Sequence, residues 1–238
     1  MTRALASFLL LLAGAAAPAA VMPPEFQASY AVSSNGSPMG VMTREFARAG
    51  DGHYVFRSHI QATRGLYALL RVKVVEESAW RMQADVFQPL EYLYRQTGAA
   101  GREVAVSFDW ERGLIRNRAK GRTWEMESVP GVLDKLLYQL VLMRDLIAGQ
   151  DRFDYVVADG GKIKKYHIEQ TGEETVETPL GPLRTVRLEH RKAGSKRMTT
   201  LWCARELQFL PVRLDHTEKD GLQTSAIIQS VSGLTAGH

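Results

Sequence analysis

Glu103-Val104-Ala105-Val106-Ser107-Phe108-Asp109-Trp110 decides the fold of this chain. Val104, Val106, Phe108 and Trp110 alternate with Ala105, Ser107 and Asp109. A period of two puts every second side chain on one face of a β-strand. The same rhythm spreads outward from this segment. Upstream, Phe26, Ala28, Tyr30 and Val32 alternate, and Asn35-Gly36 turns the chain into a strand over about Gly40–Arg48. Gly50-Asp51-Gly52 turns it again into His53–Ala62, because such pairs tolerate the positive φ of tight hairpins. Arg71–Ser78, Trp80–Phe87 and Leu90–Gln96 read as further strands, while Thr63–Leu70 fits either one helical turn or a loop.

Downstream, Leu114–Arg118 and Arg122–Glu127 pair across Ala119-Lys120-Gly121. Phe153–Ala158 and Lys162–Gln170 are joined by Asp159-Gly160-Gly161. Strands follow at Thr175–Thr178, Leu183–Arg191, Lys196–Cys203, Pro211–Thr217 and Leu222–Val231. Thr178-Pro179-Leu180-Gly181-Pro182 is a rigid turn, since each proline fixes φ and cannot feed a ladder.

One segment breaks the alternation. From Pro130 to Ala148, Leu133, Leu136, Leu137, Leu140, Met143, Leu146 and Ile147 recur at spacings of three and four. That spacing predicts an amphipathic helix over about 130–148, opened by Pro130 and closed at Gly149. The expected class is α+β and mostly β: a long antiparallel meander forming a curved sheet or half-barrel around one principal helix.

The first twenty residues place the chain. Arg3 is their only charge, Ala4–Ala17 is apolar, and Ala17-Pro18-Ala19 supplies small residues for cleavage. This reads as a secretory signal over residues 1–19. The apolar run falls short of the roughly 20 residues that span a bilayer, and no Cys follows it to take a lipid anchor. Export to the periplasm, without a transmembrane span, is therefore expected. Residues 20–238 are expected to form a single β-rich domain.

Composition is that of an ordinary globular protein, with 45% hydrophobic and 24% charged residues. The net charge is +4, with both signs interleaved along the chain, so the sequence shows no basic block of the kind a nucleic-acid binder concentrates on one face, and an anionic membrane surface stays compatible. Cys203 is the single cysteine, so no intrachain disulfide forms, and in Trp202-Cys203-Ala204 it reads as a small buried residue.

Reaction chemistry is not announced. The chain has no G-x-S-x-G, H-E-x-x-H, C-x-x-C, P-loop or G-x-G-x-x-G motif. No catalytic residue, cofactor or metal is therefore expected. His53 and His59 stand roughly 20 Å apart along an extended strand and cannot share a metal. His190 and His216 each end an apolar alternation, and would meet if their strands adjoin; a hydrolase reading rests on that pair. Asp109 and Glu111 flank Trp110 but fall on the face opposite Phe108, expected in solvent.

Several stretches, taken in order, resemble a family of exported bacterial proteins known as domain of unknown function 3108. They are Gln88-Pro89-Leu90-Glu91-Tyr92, Ser107-Phe108-Asp109-Trp110 and Lys120-Gly121-Arg122-Thr123-Trp124. Asp134-Lys135-Leu136, Gln139-Leu140 and Arg144-Asp145-Leu146 follow in the helix. Gly172-Glu173-Glu174-Thr175, Thr178-Pro179-Leu180-Gly181, Thr200-Leu201-Trp202 and Leu210-Pro211-Val212-Arg213 complete the set. The likeness implies a family and no chemistry. The expected architecture is also similar to that of the periplasmic lipoprotein carriers such as LolA, which wrap a sheet around helices and shelter acyl chains.

The leading expectation is a protein that binds a lipid or other amphipathic envelope molecule in the concave face of the sheet. Leu136, Leu140 and Met143 would contact its acyl part. Tyr92, Tyr94, Phe108 and Trp110 would form the walls, and Arg116 and Arg118, on one strand face, would meet an anionic headgroup. The alternatives are a non-enzymatic envelope scaffold holding protein partners, and a hydrolase with an unrecognised site.

Overall fold

A computed structural model describes residues 22–98, 101–191 and 196–234 of the chain. The signal expected over 1–19 lies outside these residues. Eight strands come first: β1 (Phe26–Ser34), β2 (Ser37–Gly50), β3 (His53–Ala62), β4 (Lys73–Gln83), β5 (Val86–Thr97), β6 (Arg102–Asp109), β7 (Leu114–Ala119) and β8 (Arg122–Glu127). A short helix α1 (Gly65–Leu69) links β3 to β4. The second half contains β9 (Val132–Asp134), helix α2 (Tyr138–Ile147), β10 (Phe153–Asp159), β11 (Lys162–Thr178) and β12 (Gly181–Arg191), then β13 (Met198–Ala204), β14 (Leu210–Thr217) and β15 (Gln223–Ser232).

The fifteen strands among the described residues belong to one sheet, in the order β8-β7-β6-β5-β4-β3-β2-β1-β15-β14-β13-β12-β11-β10-β9. Each half is a run of strands paired in chain order, and the β1–β15 ladder joins the halves. The ladders are antiparallel except β9–β10, which is parallel.

The sheet curls until its two ends approach. Ser78 on β4 donates to Asp134 on β9, and Trp124 on β8 donates its indole N–H to the Gly161 carbonyl in the β10–β11 turn, 3.3 Å away. This is a half-barrel with a side-chain seam where a closed barrel would have a ladder.

Helix α2 fills the enclosed space. Tyr138, Leu140, Val141, Leu142, Met143 and Leu146 are all buried, with Asp145 beside them, so the helix is buried nearly all round rather than along one stripe. It meets the inward side chains of both halves, among them Tyr30, Phe46, Phe56, Trp80, Phe153 and Leu188. The rings of Tyr54 and Trp80 stack at 4.4 Å, and Phe87 lies 4.9 Å beyond Trp80.

The principal helix is shorter than expected. Residues 132–134 form β9 by pairing with Val156–Ala158, and the Asp134 carboxylate takes the backbone N–H groups of Leu136 and Leu137, each at 2.8 Å, before α2 begins. Leu133, Leu136 and Leu137 satisfy helical spacing, but Leu133 is drawn into the β9–β10 ladder, and Leu136 and Leu137 form the turn that leads into α2. The strands expected at Lys162–Gln170 and Thr175–Thr178 are one strand, β11, with a register shift between Gln170 and Gly172.

Beyond that shift the β11–β12 hairpin leaves the curve of the sheet. It lies as an arm across the outer face of β13, β14, β15 and β1. Glu174 on the arm accepts the Trp202 indole N–H at 2.6 Å, and its turn reaches Ala31 and Ile227.

Candidate functional site

The nine residues expected to bind a ligand occupy two places. Leu136, Leu140 and Met143 are buried against the inward face, together with Tyr92 and Phe108, while Tyr94 and Trp110 are partly buried. The structure therefore brings the expected wall residues onto one concave surface, and α2 packs directly on it. Each polar tip among them has a partner: Tyr92 donates to Glu76 at 2.7 Å, Tyr94 to Gln96 at 2.8 Å, and Trp110 to the Pro89 carbonyl at 2.7 Å. Arg116 and Arg118 are exposed and stand on a different face. Glu125 takes Arg116 at 2.8 Å and Glu103 takes Arg118 at 3.3 Å.

The histidine pair does not form. His190 and His216 are the cross-strand neighbours of Thr199 on its two sides, so β13 lies between them. Two strand spacings separate their backbones by roughly 10 Å. His190 stacks on Tyr166 with ring centroids 4.3 Å apart, and His216 bonds the Thr199 hydroxyl at 2.9 Å. This removes the pair on which the hydrolase reading rested. Asp109 is exposed and accepts the Arg112 backbone N–H at 3.0 Å, a turn contact. Cys203 is fully buried, which pushes its thiol well above the usual range.

Three polar groups are buried whose roles the sequence did not announce. Asp134 is fully buried, and burial pushes its carboxyl up to about 6 against the opposing pull of Ser78 and two backbone N–H groups. Asp145 on α2 takes Arg144 at 2.8 Å and the Tyr155 hydroxyl at 2.9 Å. Arg44 on β2 reaches inward to the Gln139 side chain at 2.7 Å, tying α2 to the sheet. These contacts hold the helix in the curve. Asp134, Gln139 and Asp145 stood in the sequence within the stretches that carry the family likeness and as polar interruptions of an apolar run, with nothing to show what they bond.

A cleft opens on the outside. About 440 Å³ lies between the arm and the outer face of β1 and β15, lined by Ala31, Val32, Pro38, Pro179 and Ile227, with Glu177 and Gln229 at its polar margin. The arm that forms its roof is pinned at Trp202. The guanidinium of Arg213 lies 4.4 Å from that ring and the one of Arg187 at 5.7 Å, both within cation–π range. Prolines suit this place, because they hold a fixed apolar surface with no ladder donor to satisfy. A second hollow of about 400 Å³ lies between Met22–Glu25 and Phe46, Arg48 and Tyr54. Nothing in the sequence tied Pro179 to Ile227; only the folded arm joins them.

Fold and site together define a class of protein: an antiparallel half-barrel stopped by an interior helix, with its clefts on the outside. The chain belongs to the family described as protein of unknown function DUF3108, whose model matches residues 26–226. No curated protein matches it. Among solved structures it is similar to a β-barrel-like protein of the domain of unknown function DUF1849 from Brucella abortus. The identity is 10%, the match covers 89% of this chain and 98% of the other, and the TM-score is 0.59. A putative lipoprotein from Parabacteroides distasonis matches at 10% identity over 89% and 97% of the two chains, with a TM-score of 0.37. The first likeness supports the fold. No helix among the described residues is long and apolar enough to cross a membrane.

Proposed function

We propose that this chain is a non-catalytic binding protein of the cell envelope that takes an apolar or amphipathic component on the outside of its half-barrel. The observation that carries the reading is the cleft beneath the arm. Its volume falls within the range of small-molecule sites, roughly 300–1,000 Å³, and its lining is mainly apolar with a few polar groups at the edge. The interior, where sequence placed the ligand, is occupied by Leu136, Leu140 and Met143 themselves. Binding there would require α2 to leave, breaking the contacts of Asp134, Asp145 and Gln139.

Burial of apolar ligand surface at about 25 cal/mol per Å² supplies the affinity. Native mass spectrometry of protein purified under mild conditions, with solvent extraction, tests the reading. The expected result is a lipid-like adduct that Ile227→Glu removes. An adduct unchanged by Ile227→Glu, or none after incubation with envelope lipids, overturns it. A polypeptide recovered on the cleft would instead establish the scaffold alternative, which the filled interior also favours.

A further inference from the structure

The β3–β4 connection concentrates apolar side chains in solvent. Eight large apolar residues are exposed among those described, and four fall in α1 and the residue after it. Leu66 is 65%, Tyr67 43%, Leu69 81% and Leu70 40% exposed, and no residue of α1 is buried. These side chains do nothing for the core. A contiguous apolar patch of this kind marks an interaction surface.

The surroundings of the patch identify the partner. In an antiparallel meander the β1–β2, β3–β4, β5–β6 and β7–β8 connections all leave one end of the sheet. The Trp124–Gly161 seam brings the β10–β11 turn to that same end. Arg64, Arg71, Lys73, Lys120, Arg122 and Lys162 stand there, all exposed and without an ion pair to any described residue. The neighbouring carboxylates are already engaged: Glu103 by Arg95 and Arg118, Asp159 by Lys164, and Glu218 by Arg197. Asp220 accepts the Leu222 backbone N–H. The end therefore offers projecting leucines and a tyrosine within a field of unneutralised positive charge.

A projecting tip fits a surface rather than a pocket. Leucine and tyrosine flanked by arginine and lysine is the composition of an interfacial anchor, whose apolar groups enter the acyl boundary while the basic groups stay with phosphates. We propose that this end of the half-barrel docks on an anionic lipid bilayer, with α1 inserted and the basic rim on the headgroups. The proposal goes beyond the cleft and does not depend on it.

Co-sedimentation of the purified protein with vesicles tests it, using phosphatidylcholine alone and phosphatidylcholine mixed with phosphatidylglycerol. Binding is expected to the mixed vesicles and to weaken as salt is raised. The double change Leu66→Asp with Leu69→Asp should abolish it. Arg71→Glu with Lys73→Glu should weaken it roughly tenfold or more, since each basic residue near an anionic surface adds appreciable attraction. All four side chains are exposed, so both variants should keep the parent thermal midpoint.

Ile227→Glu should bind vesicles as the parent does, which separates this surface from the cleft. Equal binding to both vesicle types, no binding to either, or unaltered binding by the leucine variant overturns the proposal. A dimer in sedimentation equilibrium that the leucine variant dissociates, with no vesicle binding, would assign the patch to a second copy of the chain and overturn it equally.

Discussion

Trp124 lies against the backbone of Gly161, its indole N–H 3.3 Å from the glycine carbonyl, so that a Cβ at residue 161 would overlap the indole ring. The contact joins β8 to the far side of the sheet without a ladder. Gly161 also has φ +73°, where a side chain is strained. Gly161→Ala should therefore cost about 1–3 kcal/mol in urea unfolding. In a Trp124→Ala background the cost should shrink to the backbone part alone. A double-mutant cycle reads the difference; an unchanged cost would show that the seam is not the cause.

Asp134 should write its burial into the pH dependence of stability. The folded protein keeps this proton up to about 6, whereas an ordinary aspartate loses it near 3.8. Folded molecules thus hold more protons than unfolded ones in that window, and stability falls as pH rises through it. Asp134 contributes its full stability below about pH 4 and has lost it above about pH 6, a change on the order of 3 kcal/mol. Asp134→Asn should remove that slope from urea titrations, while other groups' contributions remain. Ser78→Ala, which withdraws a donor from the carboxylate, should extend the fall to higher pH.

Glu174 and Trp202 hold the arm down. Glu174→Ala should lower stability by about 1.5–3 kcal/mol, the range for a hydrogen bond to a charged group. It should also speed proteolysis within Thr171–Leu180 without exposing the core. Trp202→Ala should cost about 3–5 kcal/mol, because a large buried ring is lost from between two guanidinium groups. Limited proteolysis with mass mapping follows both; cleavage spread over the whole sheet would contradict a separable arm.

Interior substitutions distinguish core from pocket. Leu140→Ala should cost about 2–5 kcal/mol, and Leu140→Asp should prevent folding. Tyr92→Phe should lose about 1–3 kcal/mol with the bond to Glu76. With the ligand outside, folded Leu140→Ala protein should carry the same adduct as the parent by native mass spectrometry. Loss of the adduct there would move the site back inside the sheet.

The alternation around Val104–Trp110 sufficed for a β-rich sheet, and the quoted stretches sufficed for the family. What failed has physical causes. Ala84 and Asp85 both adopt positive φ, 48° and 60°, without a glycine to mark the hairpin. The β4–β5 turn was therefore invisible, and Trp80, which sits within β4, was read as opening a strand. Val132–Asp134 became a strand because Val156–Ala158 offered a partner, information held some twenty residues away. Periodicity assigned Tyr92, Phe108 and Leu140 to one enclosed surface, yet it carries no volume, so it could not tell a lined cavity from a filled one. The cleft was beyond reach for another reason: Glu174 and Trp202 meet only after β11 turns out of the sheet.

The β1–β15 ladder fixes when the molecule can become whole. Ser29 and Ser230 bond at 2.6 Å although 201 positions separate them. Among the described strands β1 is synthesised first and β15 last. Until the last strand arrives, β1 and β14 each present a bare edge that can template pairing with another chain. Closure across such a span is entropically slow. Until β15 docks, the two meanders lack the ladder between them, and both bare edges stay open to a foreign strand.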